Sequence, residues 1–136
     1  MPELPEVETI VKQLKEKLIG QTISRAKILR SSQWKQNNPN SVIRLLKNKK
    51  ILTVNRRAKF IVIDLDEDSQ LVFHLRMSGK LMWSEKNPII DNYTRTILYF
   101  ASGASLQFND TRALGTVAFF SYEQKDLWQN KLGSKH

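Results

Sequence analysis

The sequence predicts a mainly β fold with an N-terminal α-helix, in which about eight strands form an antiparallel sandwich or flattened barrel. Residues 5–18 carry apolar side chains at intervals of three, four and seven, which is the spacing of an amphipathic helix. Short runs rich in β-branched and aromatic residues follow, separated by turn sequences such as DEDS, MSG and SGAS. Strands at this spacing are typical of antiparallel sandwiches.

The predicted N-terminal helix follows Pro5 and ends near Gly20, because glycine favours helix termination. Glutamates lie near its start and lysines lie further along, as the helix dipole prefers. Its apolar stripe consists of Val7, Ile10, Val11, Leu14 and Leu18. This stripe has to pack on another element, so we expect it to tie the N-terminus to the sheet.

The remaining elements are short. A helix is predicted at 39–48, where Pro39 and a cap at Asn40 or Ser41 precede apolar residues on one face. The predicted strands span residues 22–30, 50–57, 59–65, 70–76, 80–84, 94–101, 105–110 and 116–121. Residues 122–133 fit one further short helix.

Length and composition limit the class of protein. The 136 residues correspond to about one domain, and we expect residues 1–136 to form it, since no repeat or linker divides them. No apolar run approaches the roughly 18–20 residues of a membrane span, and the acidic N-terminus is not a secretory signal. The absence of cysteine excludes disulfides and thiolate zinc sites and fits a cytosolic protein.

Charge gives the first indication of function. The chain has 22 lysines and arginines against 13 acids, a net charge of +9, which favours a polyanionic partner such as nucleic acid. One stretch contains only basic charges: Arg44, Lys47, Lys49, Lys50, Arg56, Arg57 and Lys59. The acids gather elsewhere, as in DLDED at 64–68. This separation favours a phosphate-binding face over a merely solvated one.

The opening stretch MPELPEVETI offers a reactive group. If Met1 is removed, Pro2 becomes a free secondary amine, and an α-amino group has a pKa of roughly 8. Such an amine attacks a sugar C1′ or an aldehyde to give an iminium ion, which acidifies the neighbouring C–H bond and promotes elimination. Glu3 and Glu6 are nearby carboxylates that can move protons. The alternative is that prolines and glutamates merely begin a helix.

Four motifs in order resemble one family. MPELPEVETI is followed by RRAKF at 56–60, HLRMSGKL at 74–81 and FNDTRALG at 108–115. Together they resemble the formamidopyrimidine-DNA glycosylases (the Fpg/MutM and Nei family), base-excision repair enzymes with both glycosylase and lyase activity. The resemblance implies that family's N-terminal domain, a β-sandwich that carries the N-terminal helix.

The resemblance also implies catalytic roles. Pro2 would be the nucleophile at C1′ of the damaged nucleotide, and Glu3 would be the general acid–base. Glu6 would order the N-terminus. Lys59 would act near the lesion, on the base or its phosphate; an ordinary phosphate contact or an exposed strand lysine is the alternative.

The same resemblance implies the DNA contacts. Met77 and Arg112 would enter the duplex and fill the gap left by the extruded base. Leu114 stands where the family often has phenylalanine, and an apolar side chain of another shape can still wedge between bases. The other predicted DNA contacts are His74 and Arg76, together with Lys50, Arg56 and Arg57 of the basic stretch. The alternative is that His74 and Met77 are ordinary core residues and that the cations are merely exposed on the surface.

Departures from the family pattern affect the expected activity. Thr111, Ala113 and Leu114 replace the family's usual Pro, Arg and Phe. Family members continue into a helix–two-turn–helix module and usually a zinc finger, whereas this sequence stops at LGSKH, so we expect a cut domain or a short relative. The family's zinc would then lie outside this chain, and we expect no metal or other cofactor within it.

The resulting functional prediction is a DNA glycosylase/AP lyase domain. It would excise oxidised bases, purines more than pyrimidines, through a Schiff base at Pro2 followed by β/δ-elimination. We expect damaged double-stranded DNA as the partner, no membrane contact, a monomer, and a location in the bacterial cytoplasm or nucleoid. One alternative is a catalytically incomplete module that binds DNA through its basic face. A weaker alternative is a domain kept for protein–protein contact.

Overall fold

Within residues 4–125, which a computed structural model describes, two four-stranded antiparallel sheets pack against each other. The helices are α1 (Leu4–Leu18) and α2 (Pro39–Leu46), with a short 3-10 helix at Ser31–Gln33. The strands are β1 (Ile23–Ile28), β2 (Ile51–Arg57), β3 (Phe60–Leu65), β4 (Ser69–His74), β5 (Gly79–Ser84), β6 (Thr94–Phe100), β7 (Ser105–Asp110) and β8 (Thr116–Phe120). One sheet has the order β1-β6-β7-β5 and the other β2-β3-β4-β8.

The core lies between the sheets. Phe73 of β4 and Phe108 of β7 meet edge to face there, with ring centroids 5.6 Å apart. Strand β4 is buried at every position, because Val72 packs with Val62 and Phe120 on the outer side of its sheet. Phe73 and Phe108 therefore fix the spacing of the two strands that lead into the loops described below.

Helix α1 packs on β2 and runs antiparallel to it. Near its start, Glu8 forms an ion pair of 2.6 Å with Arg56 Nε, and just beyond its end the Gly20 N–H donates to the Ile51 carbonyl at 2.9 Å. Its buried side chains are Val7, Val11, Leu14 and Leu18. Each such burial contributes roughly 1.5–3 kcal/mol, so the helix is held firmly by its apolar stripe.

A two-residue turn joins β2 to β3. Arg57 pairs with Phe60, which leaves Ala58 and Lys59 at the tip. Ala58 has a φ of +53°, a left-handed conformation that costs a non-glycine residue roughly 1–2 kcal/mol. Arg56 Nη1 donates to the Ala58 carbonyl at 3.0 Å and helps to hold this turn.

Two loops cross between the sheets at the end of the sandwich where this turn lies. Loop 75–78 joins β4 to β5, and loop 111–115 joins β7 to β8. The pairings Gly79 with Asp110 and His74 with Thr116 bring the bases of both loops together. We call this region the motif end: the start of α1, turn 58–59, loop 75–78 and loop 111–115.

The structure confirms the predicted fold class, and it differs from the sequence prediction at several element boundaries and in one short helix. Strand β4 ends at His74, so Arg76 lies in a loop rather than in a strand. Lys59 lies in a turn rather than on the following strand, and the 3-10 helix at 31–33 was not predicted. Residues 122–125 are helical, while the rest of the helix predicted at 122–133 lies outside the described residues.

None of the helices described between residues 4 and 125 is both long enough and apolar enough to cross a membrane.

Candidate nucleic-acid interface

A buried carboxylate organises loop 111–115. Asp110 is fully buried at the end of β7, and its Oδ1 accepts hydrogen bonds from the backbone N–H groups of Arg112 and Ala113, at 3.2 and 3.0 Å. Its Oδ2 accepts from the Gly115 N–H at 2.7 Å. Aspartate side chains commonly bond backbone groups a few residues further on, and here one carboxylate shapes the whole loop.

The same carboxylate receives donors from two distant segments. Gln33 Nε2 donates to Asp110 Oδ2 at 3.1 Å and to the Gly115 carbonyl at 2.9 Å, from a side chain that is itself buried. The Ser78 hydroxyl donates to Asp110 Oδ1. Asp110 thus joins loop 75–78 to loop 111–115.

Glycines allow the loops to lie this close. A Cβ at Gly115 would lie 2.9 Å from both Asp110 Oδ2 and the His74 carbonyl oxygen. A Cβ at Gly79 would lie 2.7 Å from the Leu75 carbonyl oxygen. Real Cβ contacts are longer than this, so both positions require glycine unless the backbone shifts.

The tips of the loops expose large side chains above this buried support. Met77 is 63% exposed and Leu114 is 45% exposed, and Arg112 is also exposed. Arg76 and Ala113 each have a φ of +55°, which reverses the backbone at the tips. Apolar side chains held out in solvent on shaped loops suit insertion into a partner better than core packing.

His74 lies beneath loop 75–78 and is 7% exposed. Its ring contacts Phe60, with centroids 5.1 Å apart, and its Nε2 has no hydrogen-bond partner within residues 4–125. Burial, aided by the charges of Arg76 and Lys59, lowers the pKa of His74 from 6.5 to about 4. The imidazole is therefore neutral at pH 7, and any phosphate contact by His74 would be a hydrogen bond between a neutral donor and an anion.

The cations at the motif end have different surroundings. Lys59 is exposed at the tip of its turn, and Arg57 is half-buried beside it. Arg56 is already engaged with Glu8 and with the Ala58 carbonyl. We therefore expect Arg56 to hold α1 and the turn together, and Lys59 to be the more available phosphate contact.

The basic stretch of the sequence does not form one face. Lys50 precedes β2, whose seven residues span about 23 Å at roughly 3.3 Å each, so it lies at the opposite end from Lys59. There the Lys50 N–H donates to Asp66 Oδ1 at 3.2 Å, and Lys49 forms an ion pair with Glu67. The acids of residues 64–68 thus lie beside part of the basic stretch, and the separation seen in the sequence is lost at this end.

Only some of the predicted catalytic residues lie within residues 4–125. Pro2 and Glu3 lie outside the described residues. Glu6 is exposed in the first turn of α1. The ion pair between Glu8 and Arg56 brings that first turn to the motif end.

Sequence reasoning missed three supporting residues: Gln33, Ser78 and Asp110. An aspartate at the end of a strand, with glycine five residues later, is a recognisable turn signal that could have singled out Asp110. No comparable signal exists for Gln33, because its contact with Asp110 spans 77 residues of sequence.

A family model matches residues 1–117, with the description "Formamidopyrimidine-DNA glycosylase N-terminal domain". The formamidopyrimidine-DNA glycosylase of Rickettsia africae is 39% identical over 135 residues, which cover 98% of this chain and 49% of the relative. The enzyme of the same name from Wolbachia pipientis is 36% identical, with the same coverage. The chain spans about half the length of the curated relatives it matches.

Solved structures of the Lactococcus lactis enzyme Fpg (MutM) are also similar. Its complex with DNA containing FAPY-dG matches with a TM-score of 0.86 and 27% identity, covering 95% of this chain and 48% of that one. A complex of the same enzyme with DNA containing an abasic site matches with the same TM-score, identity and coverage.

The neutral state of His74 predicts a pH dependence of stability. Because its pKa in the fold, about 4, lies below the ordinary 6.5, the unfolded chain takes up the proton first as the pH falls. The stabilising contribution is complete above about pH 6.5 and is lost as the pH falls towards 4. We expect the free energy of unfolding in urea to drop less between pH 7.5 and 5.0 in His74→Gln than in the unsubstituted protein. Equal drops in both proteins, or an NMR titration of His74 near 6.5, would contradict this assignment.

Proposed function

Because this chain belongs to the formamidopyrimidine-DNA glycosylase family, we propose that it excises oxidised bases from duplex DNA and cleaves the strand at the resulting abasic site. The substrate is a damaged nucleotide in double-stranded DNA, and the reactive group is the amine of Pro2 after removal of Met1. Because the proposed substrate is DNA, we expect this work to take place in the bacterial cytoplasm, with the chromosome. The similar Lactococcus lactis enzyme has been solved in complexes with FAPY-dG-containing and abasic DNA, which supports damaged DNA as the substrate.

One observation carries the proposal: motifs that are far apart in sequence meet at one end of the sandwich. Turn 58–59, loop 75–78 and loop 111–115 lie there together, and α1 begins there. Base excision needs a nucleophile, here at the N-terminus, cations that bind phosphate, and side chains that fill the gap left by the extruded base.

The chemistry proceeds through a Schiff base. The Pro2 nitrogen bonds to C1′ as the glycosidic bond breaks; Glu3 gives its proton to the leaving base and takes up the proton that the Pro2 nitrogen loses. Glu3 delivers the proton that lets the sugar ring open, which converts the adduct to an iminium ion. The iminium accepts the electron pair released when C2′ loses a proton, and that pair then expels the 3′ phosphate.

The exposed loop tips complete the site. Met77, Arg112 and Leu114 fill the space that the damaged nucleotide leaves when it is extruded. Met77 is flexible and apolar, and the planar guanidinium of Arg112 supplies several donors to the unpaired base opposite.

Phosphate contacts hold the duplex against the motif end. Lys59 and Arg76 are exposed there, and Arg57 adds a third charge. His74 is neutral at pH 7 in the protein without DNA, so it meets the duplex as a neutral donor.

Trapping with borohydride tests the covalent step. The iminium at Pro2 is reducible, so Met1-free protein mixed with abasic duplex and borohydride should form a stable protein–DNA adduct. Extending the N-terminus by one residue converts the Pro2 amine to an amide and should abolish the adduct. Peptide mapping of the adduct would locate the bond. Equal trapping by the extended protein would contradict Pro2 and point to a lysine, with Lys59 the first candidate.

Replacing Glu3 should separate the two activities. Base release and ring opening both need a proton, and a positioned acid contributes about 10²–10⁴-fold. At an existing abasic site the base has already left and the aldehyde is present in solution. We therefore expect Glu3→Gln to slow base excision far more than cleavage of an abasic strand, in gel assays of both substrates. An equal loss of the two activities would argue against Glu3 as the selective acid.

The salt dependence of binding should distinguish the two ends of the sandwich. Removing a phosphate contact lowers the slope of log K against log salt by roughly one unit. We expect this decrease for Lys59→Ala and an unchanged slope for Lys50→Ala, which is the matched lysine at the far end. Fluorescence anisotropy with one duplex at several salt concentrations provides the measurement. A decrease for Lys50→Ala alone would place DNA at the wrong end for this proposal.

A further inference from the structure

The two exposed loops at the motif end are linked by one side-chain hydrogen bond. The Ser78 hydroxyl donates to Asp110 Oδ1, while the same carboxylate holds the backbone of Arg112, Ala113 and Gly115. Ser78 follows Met77 directly in sequence. The residue that presents Met77 is therefore attached to the group that shapes the loop bearing Arg112.

Loss of this hydrogen bond would affect the two loops unequally. Loop 111–115 keeps four donors to Asp110 if Ser78 is removed, three from its own backbone and one from Gln33. Loop 75–78 keeps the Gly79 N–H bond to the Leu75 carbonyl, at 2.9 Å, which lies across its base. Losing the hydroxyl therefore releases the tip that bears Met77 and leaves the other loop in place.

We infer that Ser78 is a positioning residue that makes loops 75–78 and 111–115 enter damaged DNA as one unit. This inference rests on the proposed function, since it concerns how the gap in the duplex is filled. Met77 is 63% exposed, so without an anchor its loop would have to be ordered during binding. The bond to Asp110 orders the loop beforehand, and the benefit is confined to DNA that has a gap to fill.

This role differs from simple stabilisation of the fold. A purely structural serine would affect binding to all duplexes equally, through the fraction of folded protein. A positioning serine would affect only the preference for gapped DNA over undamaged DNA, because phosphate contacts through Lys59 and Arg76 are the same in both.

The test compares two duplexes of one sequence, undamaged and with a tetrahydrofuran abasic analogue, by fluorescence anisotropy. Ser78→Ala should lower the preference for the abasic duplex by about tenfold, the effect of one hydrogen bond to a charged acceptor, with little change for undamaged DNA. Ser78→Thr retains the hydroxyl and should restore the preference. Ser84→Ala, at the other end of β5, is the matched control and should leave it unchanged.

A second comparison tests the coupling to Met77. Met77→Ala should reduce the preference strongly in the unsubstituted protein and much less in the Ser78→Ala background, because an unanchored Met77 contributes little. Equal effects in both backgrounds would overturn the inference, as would an unchanged preference in Ser78→Ala. Equal weakening of both duplexes, together with a lower Tm, would also overturn it in favour of a structural role. An unsubstituted protein that shows no preference for the abasic duplex would instead contradict the proposed function.

Discussion

The arrangement of the motif end depends on satisfying one buried carboxylate. Burying a charged carboxylate costs several kcal/mol unless hydrogen bonds replace its water. Asp110 is fully buried and receives donors from loop 111–115, from Ser78 and from Gln33. These donors reach Asp110 only when both sheets and the segment before α2 are in place. The proposed DNA-contacting loops therefore take this arrangement only within the folded sandwich, and the hydrogen bonds that hold them are present without DNA.

The hydrogen bonds to Asp110 explain how the protein can expose large apolar side chains that most proteins bury. The side chains of Met77 and Leu114 remain largely in solvent and gain less from burial than core residues do, and two tip residues have left-handed backbones. The buried part of each loop offsets these costs through the Asp110 hydrogen bonds and the close packing at Gly79 and Gly115. Rigid support beneath exposed tips reduces the ordering cost of inserting them into a duplex. In both loops, a buried base supports an exposed tip.

Much of the fold could be predicted because hydrophobic periodicity follows directly from burial, and each predicted strand is present. The motifs also singled out the loops that the structure brings together at the motif end. The placement of the charges was harder to predict, because a strand extends by roughly 3.3 Å per residue and so puts charges at its two ends far apart. Lys50 and Lys59 belong to one basic stretch of sequence yet lie at opposite ends of the fold, and Glu67 pairs with Lys49. The role of Asp110 depends on donors 32 and 77 residues away, which no local pattern records.

We propose that the motif end, rather than the basic stretch as a whole, meets damaged DNA. NMR chemical-shift mapping of the backbone amides, with a duplex carrying an abasic analogue, tests it most directly. We expect changes concentrated at turn 58–59, His74 with loop 75–78, and loop 111–115, while Lys50 and the turn at 101–104 at the opposite end stay unchanged. Changes concentrated around Lys50, or spread evenly over both ends of the sandwich, would contradict it.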